Sequence, residues 1–307
     1  MSSSRVSSLV TVVVVTYEWP EALDVVLRAL LEQDDPAFEI VVADDGSGPA
    51  TADVVTRWQE SAGERLRHVW QPDQGWRQGR NRNLGALEAR GDYLVFLDGD
   101  CLVRPGFLSS VRRGALPGWF LAGKRLHLSE RLSKRVIDDG VPVWRWSTAR
   151  WLLASPRELV GSHREAGRPG VLIPIRDRRR PWREGQPEFF PPFAAYGYFF
   201  GISRADFERA NGFDMRFESW GGEDEDLAAR LRRLGLRCGW PGPSATLLHL
   251  WHPPRKGEMP SNRTLVEQTE RADYVEAPEG LRELAAEVRG YETAKRAVSS
   301  SSSSDPV

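Results

Sequence analysis

The sequence predicts an α/β fold built on a doubly wound, mostly parallel, Rossmann-like sheet. Three observations carry that expectation. Apolar, β-branched runs alternate with amphipathic stretches through the first hundred residues, the runs are strand-length, and two of them stop on aspartate–glycine turns. Parallel strands buried on both faces read as continuous apolar runs, and these do.

The run from Val10 to Val15 is the first strand. Pro20 suits the first turn of a helix whose apolar face is Ala22, Val25, Val26, Ala29 and Leu30. Phe38 to Ala43 forms a second strand, ending in Asp44-Asp45-Gly46-Ser47, and a helical stretch from Ala50 to Ser61 leads to a third, Leu66 to Trp70. An arginine-rich helix from Gln78 to Ala89 precedes the fourth strand, Tyr93 to Leu97, which ends in Asp98-Gly99-Asp100. Ligands of such a sheet bind at the carboxyl ends of its strands, where both aspartate clusters lie.

From Trp119 to Pro192 the pattern weakens and the chain is rich in Trp, Arg and Pro, most basic at Arg178-Arg179-Arg180-Pro181-Trp182-Arg183. It reads as an insertion with long loops, or as a solvated charged face over tryptophans. Ala194 to Ile202 is strand-like, and Arg204 to Ala210 is a short helix capped by Gly212. Gly221-Gly222-Glu223-Asp224-Glu225-Asp226 opens another helix that turns Leu227, Leu231 and Leu234 to the core before Gly235 ends it. Past about Arg263 the spacing is helical and carries no chemistry.

Composition narrows the function classes. A chain of 307 residues, 40% hydrophobic, can bury a sizeable core. With 42 basic and 43 acidic residues, neither nucleic acid nor an anionic membrane is indicated as the main partner. Two cysteines, Cys101 and Cys238, are too few for a disulfide framework and fit a reducing, cytoplasmic setting. The run from Leu9 to Val15 falls far short of the roughly 18 apolar residues of a membrane helix, and no later stretch approaches that length. The serine-rich ends, Ser2 to Ser8 and Ser299 to Ser304, are expected to be disordered.

Asp98-Gly99-Asp100 offers two carboxylates on a tight turn with no side chain between them to obstruct a cation. A divalent ion there would neutralise a diphosphate on binding, and again as it leaves. Arg77, Arg80 and Arg82 enter the fourth strand from a helix that could present them to phosphate oxygens, or merely to solvent.

Val12 to Glu18, Asp44-Asp45-Gly46-Ser47, Arg82-Asn83-Leu84-Gly85, Gly91-Asp92-Tyr93 and Phe96-Leu97-Asp98-Gly99-Asp100 resemble the nucleotide-binding half of family 2 glycosyltransferases in order and spacing. The match covers about residues 9 to 108 and implies the GT-A fold. By that resemblance Thr16 and Glu18 line the base and ribose pocket, Asp45 hydrogen-bonds the uracil or ribose of a UDP-sugar, and Asp98 and Asp100 form a DXD motif. Asp100 would ligate Mn²⁺ or Mg²⁺ directly. Asn81 replaces the family's small residue before Arg-Asn, and the extra arginines leave the roles of Arg77 and Arg80 open.

Asn211-Gly212-Phe213-Asp214 and Trp220-Gly221-Gly222-Glu223-Asp224-Glu225-Asp226-Leu227 are similar to the acceptor motif of the β1,4-galactosyltransferase and polypeptide N-acetylgalactosaminyltransferase group. The likeness implies that Trp220 borders the sugar site, Glu223 holds acceptor hydroxyls and Asp224 is the general base. A helix dipole favours acidic residues in a first turn, which accounts for Glu225 and Asp226 but not for the two glycines and the tryptophan. The same group implies His252 as a metal ligand, with His249 three positions earlier where its familiar members carry methionine. The spacing of the two suits a turn facing one cation; the alternative is a histidine half-buried against Trp251.

The whole reading is a metal-dependent inverting glycosyltransferase moving a hexose or N-acetylhexosamine to an acceptor glycan, glycoside or peptide. Its divisions are tails at 1–8 and 299–307, a nucleotide-sugar half at 9–118, an acceptor half at 119–262 and a helical segment at 263–298. Two alternatives share its parts. A sugar nucleotidyltransferase would carry a glycine-rich loop where Thr16-Tyr17-Glu18-Trp19-Pro20 stands, and a non-catalytic nucleotide-sugar binder would release no diphosphate.

Overall fold

A computed structural model describes residues 9–155, 198–253 and 260–290. Both serine-rich tails, the Arg178 to Arg183 run and residues 194–197 lie outside them. The first half follows the expected alternation: β1 (Val10–Thr16), α1 (Pro20–Leu31), β2 (Phe38–Asp44), α2 (Pro49–Ala62), β3 (Leu66–Trp70), α3 (Gln78–Glu88) and β4 (Tyr93–Asp98). There follow β5 (Cys101–Leu102), α4 (Phe107–Gly114), β6 (Trp119–Ala122), β7 (Lys124–His127), α5 (Glu130–Ile137) and α6 (Thr148–Ala154). The remainder is β8 (Phe199–Ser203), α7 (Arg204–Arg209), α8 (Glu223–Arg233), β9 (Arg237–Gly239), β10 (Thr246–His249) and α9 (Pro260–Arg271), with residues 281–290 also helical.

Seven strands make the main sheet in the order β3-β2-β1-β4-β8-β6-β9. The first four are parallel, β8 runs antiparallel between β4 and β6, and β9 is parallel to β6. All seven residues of β1 are buried. Successive side chains on a strand face opposite ways, so Val10, Val12 and Val14 enter one core while Val13 enters the other. Each such valine contributes about 1.5–3 kcal/mol by leaving water. The second core centres on Phe96, whose ring meets Phe207 and Phe213 at 5.1 Å between centroids.

Residues 119–155 differ from the expectation of a loop-rich insertion. β6 is an interior strand of the main sheet, and Trp119, Trp144, Trp146 and Trp151 are buried. Four-residue strands are too short to show a period, which is why the pattern weakens there. β7 joins β5 and β10 in a second sheet, with His249 opposite both Cys101 and His127. His249 therefore ends a strand rather than sitting on a turn. Among the described residues no helix is long and apolar enough to cross a membrane.

Candidate metal and nucleotide site

The site forms where β1, β2 and β4 end and the second sheet closes over them. Gly99 donates its backbone N–H to the Val15 carbonyl at 2.8 Å, and a Cβ in its place would stand 2.6 Å from that oxygen. Only glycine lets the Asp98–Asp100 turn lie this close to β1. The Leu250 N–H donates to the Asp100 carbonyl at 2.9 Å, fastening the end of β10 to the same turn.

Asp98, Asp100, His249 and His252 come together here. Asp98 Oδ1 accepts from Gln78 Nε2 at 3.2 Å and Arg82 Nη2 at 3.1 Å. Asp100 Oδ2 has His249 Nε2 at 3.5 Å and His252 Nε2 at 3.6 Å. These separations exceed good hydrogen-bond lengths, and leave two imidazole nitrogens converging on one carboxylate oxygen. Burial, reinforced by the positive charge of Arg125 and the neighbouring His127 and His252, drives the His249 pKa down to about 2, so the ring is neutral. Its buried Nδ1 has no hydrogen-bond partner among the described residues. Imidazole nitrogens beside a carboxylate fit a divalent cation, and favour Mn²⁺ or another transition ion over Mg²⁺.

Cys101 Sγ, Asp100 and His249 also lie with their donor atoms within 4.8 Å of one another. Burial and the charges of Asp100 and Asp98 hold the Cys101 thiol well above its ordinary pKa, and it donates to Asp100 Oδ1 at 3.3 Å. It therefore orients the carboxylate instead of offering a thiolate.

A cavity of about 380 Å³ opens beside these groups, with Thr16 and Asp45 on its wall and Trp220 at its edge. Burial raises the pKa of Asp45, although its carboxylate accepts from Gln71 Nε2 and from the Arg77 N–H.

Six other expected residues are not among those that line this cavity: Glu223 and Asp224 at the start of α8, Glu18, and the arginines Arg77, Arg80 and Arg82. Glu18, at a φ of 47°, receives the Gly48 N–H on Oε1 at 2.6 Å and donates its own N–H to Ser47 Oγ at 2.8 Å. It clasps two loops together, and its side chain is taken up in doing so. Arg77 turns to Gln74 Oε1 and the Pro72 carbonyl, and Arg80 to Gln71 Oε1 and Glu287 Oε1. Arg82, 1% exposed, bridges Glu223 Oε1 at 2.7 Å and Asp98. Burial opposes its charge, but the adjoining Glu223, Asp98 and Asp224 outweigh that and raise its pKa. Each of the three arginines thus has protein partners within reach and none stands as a purely solvated face.

The two sequence motifs meet through Asn83, which donates from Nδ2 to the Phe213 carbonyl and accepts the Phe213 N–H on Oδ1. Gly222, at a φ of 97°, precedes α8, and a Cβ there would stand 2.8 Å from Val266. Glu223 is buried, with Oε2 unpartnered among the described residues, while Asp224 is half-buried and accepts the Glu225 N–H. Asp226 is structural: it pairs with Arg230 at 2.7 Å and accepts from the Thr269 hydroxyl at 2.6 Å.

Sequence reasoning missed several cavity residues. Gln78 stood at the start of α3 without a recognisable motif, and Trp76 and Trp19 lie in loops. Arg125 and His127 belong to the undetected strand β7, although the scarcity of histidine, five in the chain, was a usable signal for His127.

The fold is of the GT-A class. A mannosyltransferase from Pyrobaculum calidifontis, solved with GDP-Man and Mn²⁺, is 18% identical with a TM-score of 0.53, covering 100% of this chain and 79% of that one. GalNAc-T7, solved with UDP, GalNAc and Mn²⁺, is 15% identical with a TM-score of 0.56, covering 85% and 48%. Residues 11–115 match glycosyl transferase family 2, and residues 187–253 match the N-terminal domain of galactosyltransferase. Residues 11–115 therefore form a family 2 glycosyltransferase domain, joined to a segment that resembles the N-terminal domain of galactosyltransferase. A validoxylamine A glucosyltransferase from Streptomyces hygroscopicus is 30% identical over 246 residues, 74% of this chain and 52% of that protein. The chain spans about half the length of the curated relatives it matches first.

Proposed function

We propose that the protein is a metal-dependent, inverting glycosyltransferase that moves a hexose or N-acetylhexosamine from a UDP-sugar to a hydroxyl of a glycan, glycoside or peptide. The observation that carries the reading is the convergence of His249 and His252 on Asp100 at 3.5 and 3.6 Å, beside a cavity walled by Asp45 and edged by Trp220.

Asp98, Asp100, His249 and His252 would hold the cation, which when bound neutralises the diphosphate of donor and leaving group. Thr16 and Asp45 would receive the nucleoside. Glu223, fixed by Arg82, would accept a hydroxyl hydrogen on its unpartnered Oε2. Asp224 would take the proton of the acceptor hydroxyl as that oxygen attacks the anomeric carbon from the face opposite the diphosphate. One carbon–oxygen bond forms, the bond to the diphosphate breaks, and the configuration inverts. Two GT-A neighbours, one solved with GDP-Man and Mn²⁺ and one with UDP, GalNAc and Mn²⁺, support a nucleotide-sugar donor and a divalent metal as analogy of fold.

A panel of UDP-sugars and GDP-sugars incubated with Mn²⁺ tests the proposal through release of nucleoside diphosphate. Release from a UDP-sugar that stops on adding chelator is the expected result. No release from any donor would return the protein to the class of non-catalytic binders.

A further inference from the structure

Large aromatic rings lose free energy by standing in water, and several of them exposed around one cavity mark a binding surface. Four aromatic side chains among the described residues are exposed, Tyr17, Trp70, Trp220 and Trp251, and all but Trp70 line the cavity. Trp220 comes from the loop before α8 and Trp251 from the end of β10, two segments distant in sequence.

The sequence offers Trp251 as packing for a histidine, but the indole that meets His252 is that of Trp19, edge-on at 6.2 Å between centroids. Trp251 is instead 38% exposed on the cavity wall. Its backbone is held firmly: its own N–H donates to Ser133 Oγ on α5 at 2.7 Å, and the Leu250 N–H donates to the Asp100 carbonyl at 2.9 Å. An exposed ring on a fixed backbone has little freedom left to lose when a ligand covers it.

From this placement we infer that Trp251 is the stacking surface for the acceptor, and that the acceptor is a pyranose ring of a glycan or glycoside and not a peptide. The inference rests on the glycosyltransferase reading and narrows it. His249 and His252, on either side of Trp251 in the chain, converge on Asp100 after β4, whereas Asp45 ends β2, two strands away in the sheet. Trp251 therefore belongs to the end where the sugar is transferred. A pyranose offers a flat face of C–H groups to an indole and hydroxyls at its rim to polar groups such as Gln78 and Asp98 on the same wall. An extended peptide binds best by adding to an unpaired strand edge, and β10 has none, being paired with β5 on one side and β7 on the other.

Saturation-transfer NMR titrations of the full chain in Mn²⁺ with UDP or GDP test it. The probes are methyl β-glucopyranoside, methyl β-galactopyranoside and methyl N-acetyl-β-glucosaminide, with sorbitol and an acetylated Ser/Thr peptide as ringless controls. The pyranosides should bind through the axial protons of one ring face, and sorbitol, which keeps hydroxyls without a flat face, should not bind. Trp251→Ala should weaken pyranoside binding at least about tenfold, as for a buried aromatic anchor. Trp251→Phe should lose less, because a smaller flat ring remains, and Trp251→Leu nearly as much as alanine. Nucleotide and Mn²⁺ affinities of each variant should stay within about twofold of wild type, which also establishes that it is folded. A parallel loss of nucleotide or Mn²⁺ binding would overturn the inference and place Trp251 in the donor and metal site. So would unchanged pyranoside affinity in Trp251→Ala, peptide binding equal to that of the pyranosides, or a wild type that binds nucleotide and none of the pyranosides. Failure of the wild type to bind either UDP or GDP would instead remove the glycosyltransferase reading, and the inference with it.

Discussion

Replacing Arg82 by methionine isolates the link between the two halves of the site. Arg82 is 1% exposed and bonds Glu223 Oε1 at 2.7 Å and Asp98 Oδ1 at 3.1 Å, with the Glu223 side chain 6% exposed. The variant leaves Glu223 as a buried charge without its cation, a class of change that costs about 3–5 kcal/mol. At about 2–4 °C per kcal/mol the melting temperature should fall by roughly 6–20 °C. Arg82→Met/Glu223→Gln, which removes the orphaned charge, should recover much of the loss. Differential scanning calorimetry of the wild type, both singles and the double reads all of this. A melting temperature for Arg82→Met within 2 °C of wild type would refute the reasoning, because the ion pair would then be doing nothing that solvent cannot do; the threshold is about 1 kcal/mol on the same scale.

Four further outcomes are expected. Asp100→Ala should remove Mn²⁺ binding and transfer while the protein stays folded; wild-type activity of that variant in excess chelator would dismiss the metal assignment. Single changes of His249 or His252 to alanine should each weaken Mn²⁺ affinity at least about tenfold, and unchanged titration curves would return both to ordinary packing. Asp224→Asn should lose about 10²- to 10⁴-fold in turnover with donor affinity nearly unchanged, and a loss of donor binding instead would show a different role. In metal-free protein, His249 stays neutral down to about pH 2 in the fold but protonates near 6.5 when unfolded, so its contribution is full above 6.5 and declines as pH falls toward 2. Urea unfolding should show about 2 kcal/mol lost between pH 6.5 and 5 from this group, and His249→Gln should flatten that slope; an equal slope in both proteins would contradict it.

The sequence by itself determined the alternating β/α half of the fold. β1 to β4 and the helices between them were legible because strands buried on both faces must be apolar throughout, and because Asp45 and Asp98-Gly99-Asp100 can only stand where such strands end. It also singled out Glu223, Asp224, His249 and His252, since paired glycines beside a tryptophan and closely spaced histidines are rare enough to be noticed singly. What only the tertiary structure decided was partnership. Whether an arginine faces phosphate or carboxylate depends on what lies opposite it, and for Arg82 that is Glu223, 141 residues away. The same holds for β5, β7 and β10, strands of two to four residues whose periodicity is too brief to detect and whose hydrogen bonds are all made with distant segments. Local pattern records the burial each residue needs; the long-range contacts that place Arg125 and His127 in the cavity, and turn Arg77 and Arg80 away from it, exist only once the chain has closed on itself.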